Sequence, residues 1–487
     1  MALSVALNTA RSSLQATQSQ ISVVARNTAG ASDPTYSRKI ASLVTQGGAA
    51  RVTVARASDI ALYTKMLSST SDAATQKALL LGLEKLNATV GDTDLGESPA
   101  ARIGALMTSL EHYAKSPDSD VMAKAFLSSA SNLVTTLNQA TSQVQAIRQA
   151  ADVSISNSVS RINDLLAKFD SVNREIMRGH AIGADVTDSL DNRDGLIAQL
   201  SEEIGVTVVH REGGDIALYT DSGVPLFERT ARPVTFDPTT VYGPNTTGNA
   251  VFIDGIQVTG AGAPMPLNSG NLVGQTTLRD DVTVDYQSQL DDLARGLIEA
   301  FAESDQSASG LPDAPGVFTY AGATGIPTLP ATVGLAALLK INSVVDPAQG
   351  GSYDVIRDGG INGGAYRYNP AASGDTAFSD RLYGLKDAME TDRPFNAAFG
   401  FGATSTLGGF STASASWLQG VRQKATSDVS YQNTLLAQAS EALSNATDVN
   451  MDQETAHMLQ LEQSYAASAK LISVIDQMMK TLLNMVG

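Results

Sequence analysis

Both ends of this chain carry an apolar stripe with a coiled-coil period, and a terminal stripe must be covered by something its own segment does not supply. From Leu3 the apolar or small positions advance by alternating steps of four and three through Leu3, Leu7, Ala10, Leu14, Thr17, Ile21, Val24 and Thr28. The closing segment keeps the same period through Met458, Leu461, Tyr465, Ser468, Ile472, Ile475, Met479, Leu482 and Val486. Two Thr and one Ala thin the first seam, so a helix built on it buries too little to stand alone. The residues leave two readings open. Either each helix packs on a neighbouring domain of its own chain, or the two ends pair with each other and with neighbouring molecules.

Between the ends, 487 residues are too many for one ordinary core and imply two to four domains. Helical periodicity runs over 58–90, 100–115, 118–178 and 188–204, interrupted by breakers at 91–99, 116–117 and 179–183. In the stretch TDSLDNRDGLIAQLSEEIG, Asp188 is the expected N-cap, Asp191 complements the helix dipole, and Arg193 bridges Asp191 or Asp194. After Gly205 the period changes to two, so VTVVHREGGDIALYT reads as a hairpin turning at 212–215, with further strand signals to about 260. Helical pattern returns at NLVGQTTLRDDVTVDYQSQLDDLARGLIEAF, and LRDD at 278–281 reads as a helix entrance or rod contact. Residues 307–412 are rich in Gly, Pro and Asp, as a β-containing module with long loops would be, and the last seventy or so residues are helical again, with Asp452 as the expected N-cap of the closing helix. The fold class is multidomain α+β, with long helical rod or coiled-coil domains built from both chain ends and β-rich modules inserted between them.

Composition removes several functions. A net charge of −17 and a pI near 4.6 argue against nucleic acid and anionic membrane as partners. The absence of cysteine excludes disulfides, thiolate metal sites and Cys nucleophiles. His112, His180, His210 and His457 are far apart and form no metal-binding spacing, and phosphate-loop, dinucleotide and nucleophile-elbow motifs are missing. The sequence therefore points to no catalytic, cofactor-binding or metal residue and to no enzyme. The first residues lack a basic and then apolar leader pattern, so a soluble chain without a cleaved secretory signal is expected.

Four stretches, in order, resemble the flagellar axial proteins and most closely the hook-associated protein 1 (FlgK) family of hook–filament junction proteins. ARNTAGASDPTYSRKI resembles the signature after the N-terminal axial helix, with Asn27, Pro34, Tyr36, Ser37 and Arg38 matching and Thr35 standing where the family usually has Gly. DSLDNRDGLIAQLS resembles the junction-protein stretch carrying Asp191, Arg193 and Asp194, and SGNLVGQTTLRDDV carries Arg279 and Asp280. VNMDQETAHMLQLEQSYAASAKLI resembles the axial C-terminal helix. The resemblance implies a structural subunit joining hook to filament. It places a terminal pairing domain at 1–35 and 450–487, a helical rod at 36–204, 270–305 and 413–449, a small β-module at 205–269, and an outer β-rich module at 306–412.

It further implies a homo-oligomeric ring, contacts with hook protein and the second junction protein, and a chaperone for type III export to an extracellular position. Leu3, Leu7, Leu14, Ile21, Val24, Met458, Leu461, Tyr465, Ile472, Ile475, Met479 and Leu482 then become the self-assembly interface. The alternatives are another axial protein, hook or filament, or an extracellular adhesin or enzyme whose activity resides in 307–412.

Overall fold

A computed structural model describes residues 2–46, 49–90, 96–370 and 375–486. The side chains of Leu3 and Val486 lie outside the described residues, as does part of the expected breaker at 91–99. The chain opens with α1 (Ala2–Gly30), followed by an antiparallel hairpin of β1 (Lys39–Gln46) and β2 (Ala49–Arg56). The sequence reading has no element there. The hairpin lies along α1, and α12 (Met451–Val486) runs along α1 as well, so both chain ends and the hairpin form one terminal unit.

The rod is built on α2 (Ile60–Val90), α3 (Pro99–Lys115), α4 (Asp120–Ile182) and α5 (Thr187–Glu203). At 63 residues α4 is about 95 Å long, using the standard helical rise. Its buried positions, among them Phe126, Leu133, Leu137, Val144, Ile155, Ile162 and Phe169, recur at helical spacing along its whole length. Ser119 caps its first turn by accepting from the Met122 N–H at 3.4 Å. The helix α11 (Leu407–Thr447) packs along α2 and completes the rod.

Two cores sit along α4. One buries the distal half of α4 with α5, Leu67 of α2, and the small module of β3 (Val206–His210), β4 (Ile216–Thr220), β5 (Pro225–Phe227), β6 (Val234–Thr235), β7 (Phe252–Ile253) and β8 (Ile256–Gln257). These strands form two three-stranded antiparallel sheets, with β3 and β4 paired from Val206↔Thr220 to His210↔Ile216. The helix α6 (Asn271–Thr277) continues through a π-turn at Leu278–Val282 into α7 (Thr283–Ala300), so LRDD lies inside a continuous helical path.

The other core joins the proximal half of α4 to α3, α7, α11 and the outer module. That module pairs β9 (Phe318–Tyr320) with β10 (Leu339–Ile341) and β11 (Arg393–Pro394) with β12 (Thr404–Ser405). It also holds α8 (Leu335–Leu338), α9 (Asp354–Asp358) and α10 (Asp380–Glu390) between them. Stacked Phe395 and Phe410, 4.0 Å between ring centroids, tie its end to α11.

Neither Asp188 nor Asp452 is the cap expected of it. The N-cap position of α5 is Val186, which offers no side-chain cap, and Asp185 before it accepts from the Thr187 N–H at 3.1 Å and the Thr187 hydroxyl at 2.7 Å, while Asp188 sits in the first turn. In front of α12 the cap is Asn450, whose Oδ1 accepts from the Gln453 N–H at 3.1 Å, and not Asp452. A side-chain cap is thus made at the start of α12 alone of these two helices.

Candidate functional site

The signature after α1 folds around Asn27. Asp33 accepts from the Thr35 backbone N–H at 2.9 Å and the Thr35 hydroxyl at 2.7 Å, closing a tight local turn. Among the described residues the non-glycine positions with positive φ are Asp254 and Ala308, so Thr35 occupies ordinary backbone and needs no glycine. The turn lays Tyr36 over the end of α1, where a Cβ on Gly30 would come within 2.6 Å of the ring. Buried Asn27 accepts from the Tyr36 hydroxyl at 2.9 Å and the Lys39 N–H at 2.8 Å, and donates to the Lys39 carbonyl at 2.9 Å and to Glu454 Oε2 at 3.1 Å. Its two donors and two acceptor positions are all used. Arg38 Nε donates to the other oxygen of Glu454 at 2.7 Å, and the Arg38 N–H donates to the Thr447 carbonyl at 2.7 Å. Through Asn27, Arg38 and Glu454, the start of the chain grips the first turn of its last helix. Burial pushes the Tyr36 phenol up to about 12 even though Arg26 lies near enough to oppose the shift.

One layer further in, the hairpin meets α5. Lys39, with no exposed side-chain surface, forms an ion pair with Asp191, lies 3.3 Å from Asp188, and donates to the Thr187 carbonyl at 3.1 Å. Arg56 donates to Asp191 at 3.1 Å and pairs with Asp194. Burial works against the Arg56 charge, but Asp194 and Asp191 outweigh it and hold its pKa above the ordinary arginine value. At the rim Arg26 donates to Asp185 at 2.9 Å and approaches Asp188 at 3.7 Å. Tyr63 of α2 donates its hydroxyl to the Asp194 carbonyl at 2.7 Å. Next to this cluster lies a half-open cleft of about 390 Å³, bordered by Tyr36, Ser37, Tyr63, Met66, Val208 and Leu443 among others.

Asn27, Tyr36, Ser37, Arg38, Asp191 and Asp194 therefore converge at one joint. Arg193 does not bridge Asp191 or Asp194, as sequence spacing predicts. It points the other way on α5, donating to Asn173 Oδ1 at 3.0 Å and the Gly214 carbonyl at 2.7 Å, because the helix turns it toward α4 and the small module. Arg279 and Asp280 belong to a separate joint in the rod. There buried Arg279 pairs with Asp152 and Asp280, each at 2.7 Å, and donates to the Asn249 carbonyl at 2.8 Å. Lys39 and Arg56, central to the first joint, carry no signal in the local sequence. The aspartates facing them do: Asp185, Asp188, Asp191 and Asp194 recur every three residues, which places them along one side of a helix start.

The terminal stripes pair with each other in part. On α1, Ala10, Thr17 and Val24 are buried and Leu7, Leu14 and Ile21 half-buried. On α12, Leu461 and Ile475 are buried, Met458, Ile472 and Met479 half-buried, and Tyr465 and Leu482 exposed. A second row on α12, Leu471, Val474 and Met478, is about half exposed in the single chain. Among the described residues no group of His, Asp or Glu is placed to hold a metal ion, and no helix is long and apolar enough to cross a membrane.

Paired terminal helices, with a signature loop clamped between them, thus join a long helical rod. The profile of the flagellar basal body rod FlgEFG protein C-terminal region matches residues 440–485, and that of the flagellar hook-associated protein FlgK helical domain matches residues 83–318. Over these residues the chain is similar to the flagellar hook-associated protein 1 (FlgK) family. It is 27% identical to flagellar hook-associated protein 1 of Escherichia coli over 210 residues, covering 42% of this chain and 38% of that protein. The Salmonella typhimurium protein of the same name is 26% identical over 219 residues, and the match again spans 38% of its length. The Bacillus subtilis protein of that name is 20% identical over 528 residues, covering 99% of this chain and 98% of that one. A solved structure of the flagellar hook junction protein FlgK from Burkholderia pseudomallei aligns with a TM-score of 0.42 at 20% identity, over 53% of this chain and 47% of that one.

Proposed function

We propose that this chain is a non-catalytic structural subunit that joins hook to filament in a bacterial flagellum, outside the cell. The observation that carries this reading is the junction of the two chain ends at Asn27, Arg38 and Glu454, with an apolar row on α12 still uncovered. Half-exposed Leu471, Val474 and Met478 need a cover, and neighbouring copies supply it when the subunits form a ring. In this reading residues 1–35 and 450–487 are the pairing domain, and the stripes from Leu3 to Val24 and from Met458 to Leu482 are its assembly interface. The rod carries the outer module of 306–412 toward the medium. Hook protein below, the second junction protein above and an export chaperone for the last helix are the partners the family resemblance implies.

Two variants test this in cells. Deletion from Asp452 onward is expected to abolish motility and release filament subunits into the medium. Replacement of Leu471 and Val474 by Ser, which touches only exposed positions, is expected to do the same with the secreted protein still folded. Normal swimming by either strain refutes the reading.

A further inference from the structure

The joint between terminal unit and rod divides its charge by body. Among the described residues the cations of its ion pairs, Arg26, Lys39 and Arg56, come from α1 or the hairpin, and their carboxylate partners, Asp185, Asp188, Asp191 and Asp194, come from α5 or the residues leading into it. Two short stretches, residues 57–59 and 448–450, connect the bodies covalently. Where packed side chains would normally lock two such bodies together, there is a half-open cleft of about 390 Å³ lined by the signature, α2, α5, the small module and α11, among them Tyr36, Tyr63, Ala198, Val208 and Leu443. Close packing resists rotation because atoms on each side fill the space of the other, and an unfilled volume of this size gives up that resistance. Directional contacts must then hold the angle.

The charges are arranged for that role. Lys39 and Asp191 are withdrawn from water at the centre, Arg56 and Asp194 are mostly covered, and Arg26 with Asp185 and Asp188 lies at the wet rim. The rim pairs are screened by salt and the central one is not. A buried ion pair contributes little net stability over an apolar replacement, yet losing one partner is costly, so its effect falls on geometry more than on folding free energy.

We propose that these seven residues form an ionic latch that sets the angle between the terminal helical unit and the rod, and that the adjoining cleft is the space into which the joint moves when the latch opens. The latch is a property of the single chain and stands apart from the identity of its partners. Opening requires Lys39 and Arg56 to leave the α5 carboxylates together, because Asp191 is shared between them. The clasp of Asn27 and Arg38 on Glu454 travels with the terminal unit and keeps α1 and α12 paired in either state.

The chain has no cysteine, so introduced cysteines can carry spin labels at chosen sites alone. Labels at Ser22→Cys on α1 and Ser160→Cys on α4, both exposed positions, report the angle of the joint. Labels at Ser22→Cys and Gln460→Cys report the pairing of α1 with α12. Asp191→Asn is expected to widen the first distance distribution at least twofold and to leave the second unchanged. The paired replacement Lys39→Met with Asp191→Leu removes the central ion pair, leaves Arg56 with Asp194 as its partner, and is expected to widen it as well. This second variant decides the question should Asp191→Asn also unpair α1 from α12. A first distribution as narrow as that of the unaltered chain, with α1 and α12 still paired, overturns the latch.

Discussion

Glu454 is the residue of the last helix that both Asn27 and Arg38 hold. Its carboxylate is buried and accepts from Arg38 Nε at 2.7 Å and from Asn27 Nδ2 at 3.1 Å. In Glu454→Ala both bonds are lost. A hydrogen bond to a charged group contributes about 1.5–3 kcal/mol, and the low end applies here because water can reach Arg38. The Asn27 amide keeps the Lys39 carbonyl at 2.9 Å, so its loss is a single ordinary bond of about 1 kcal/mol. The total is about 2–3 kcal/mol, equivalent to a change of about 30- to 150-fold in an opening equilibrium. A chain of several domains has no single unfolding free energy, so the suitable measurement is local: hydrogen exchange of amides in 455–462 and 20–30 in the monomer. Protection there is expected to fall by that factor in Glu454→Ala and by clearly less in Glu454→Gln, which keeps an acceptor. The core of α4 between Leu133 and Ile147 should exchange as before. Unchanged protection of α12 would refute the clasp, and an equal loss in α4 would show that Glu454 acts on the whole fold.

Three further outcomes follow from the rod. Arg279→Met strands buried Asp152, which keeps only the Tyr242 hydroxyl and the Thr239 N–H, and is expected to cost about 3–5 kcal/mol, read as a lower urea midpoint of Trp417 fluorescence. In Gly274→Ala the new Cβ would lie 2.4 Å from the Thr75 carbonyl oxygen, so α6 must move off α2 at a cost of about 1–3 kcal/mol, whereas Gly384→Ala meets nothing and should stabilise α10 by about 0.5–1 kcal/mol, both read in thermal melts. Asp291 is pushed up to about 6 by burial, against hydrogen bonds from the Ala336 and Gly334 N–H groups. Because the folded value lies above the ordinary 3.8, its contribution to stability is fully present below about pH 4 and is lost as pH rises to about 6. A carboxyl carbon titration by NMR with its midpoint near the ordinary aspartate value would contradict this burial.

Much of the helical frame was legible before any coordinates. The spacing of apolar residues over 118–178 anticipates α4, and the change of period after Gly205 anticipates β3 and β4, because each pattern repeats locally with the geometry of its element. The hairpin of β1 and β2 was not legible. Its outward row of Ile40, Ser42 and Val44 and its inward neighbours do not alternate cleanly between apolar and polar, and it is held by α1 as much as by its own sequence. Arg193 shows the same boundary from the other side. Charge spacing along α5 predicts a bridge to its helical neighbours, and the packing of α4 and the small module takes the guanidinium elsewhere.

Sequence by itself determined the periodic elements and the acidic row on α5, since these depend on residues within a few turns of one another, and it shows that the chain has no cysteine. Tertiary structure alone decided that Asn27 meets Glu454 and that Lys39 and Arg56 meet that acidic row. Those partners are separated by more than a hundred residues. No local periodicity specifies such a meeting, which is settled by how the two ends fold back onto the rod and by the cost of leaving a buried charge or amide without a partner.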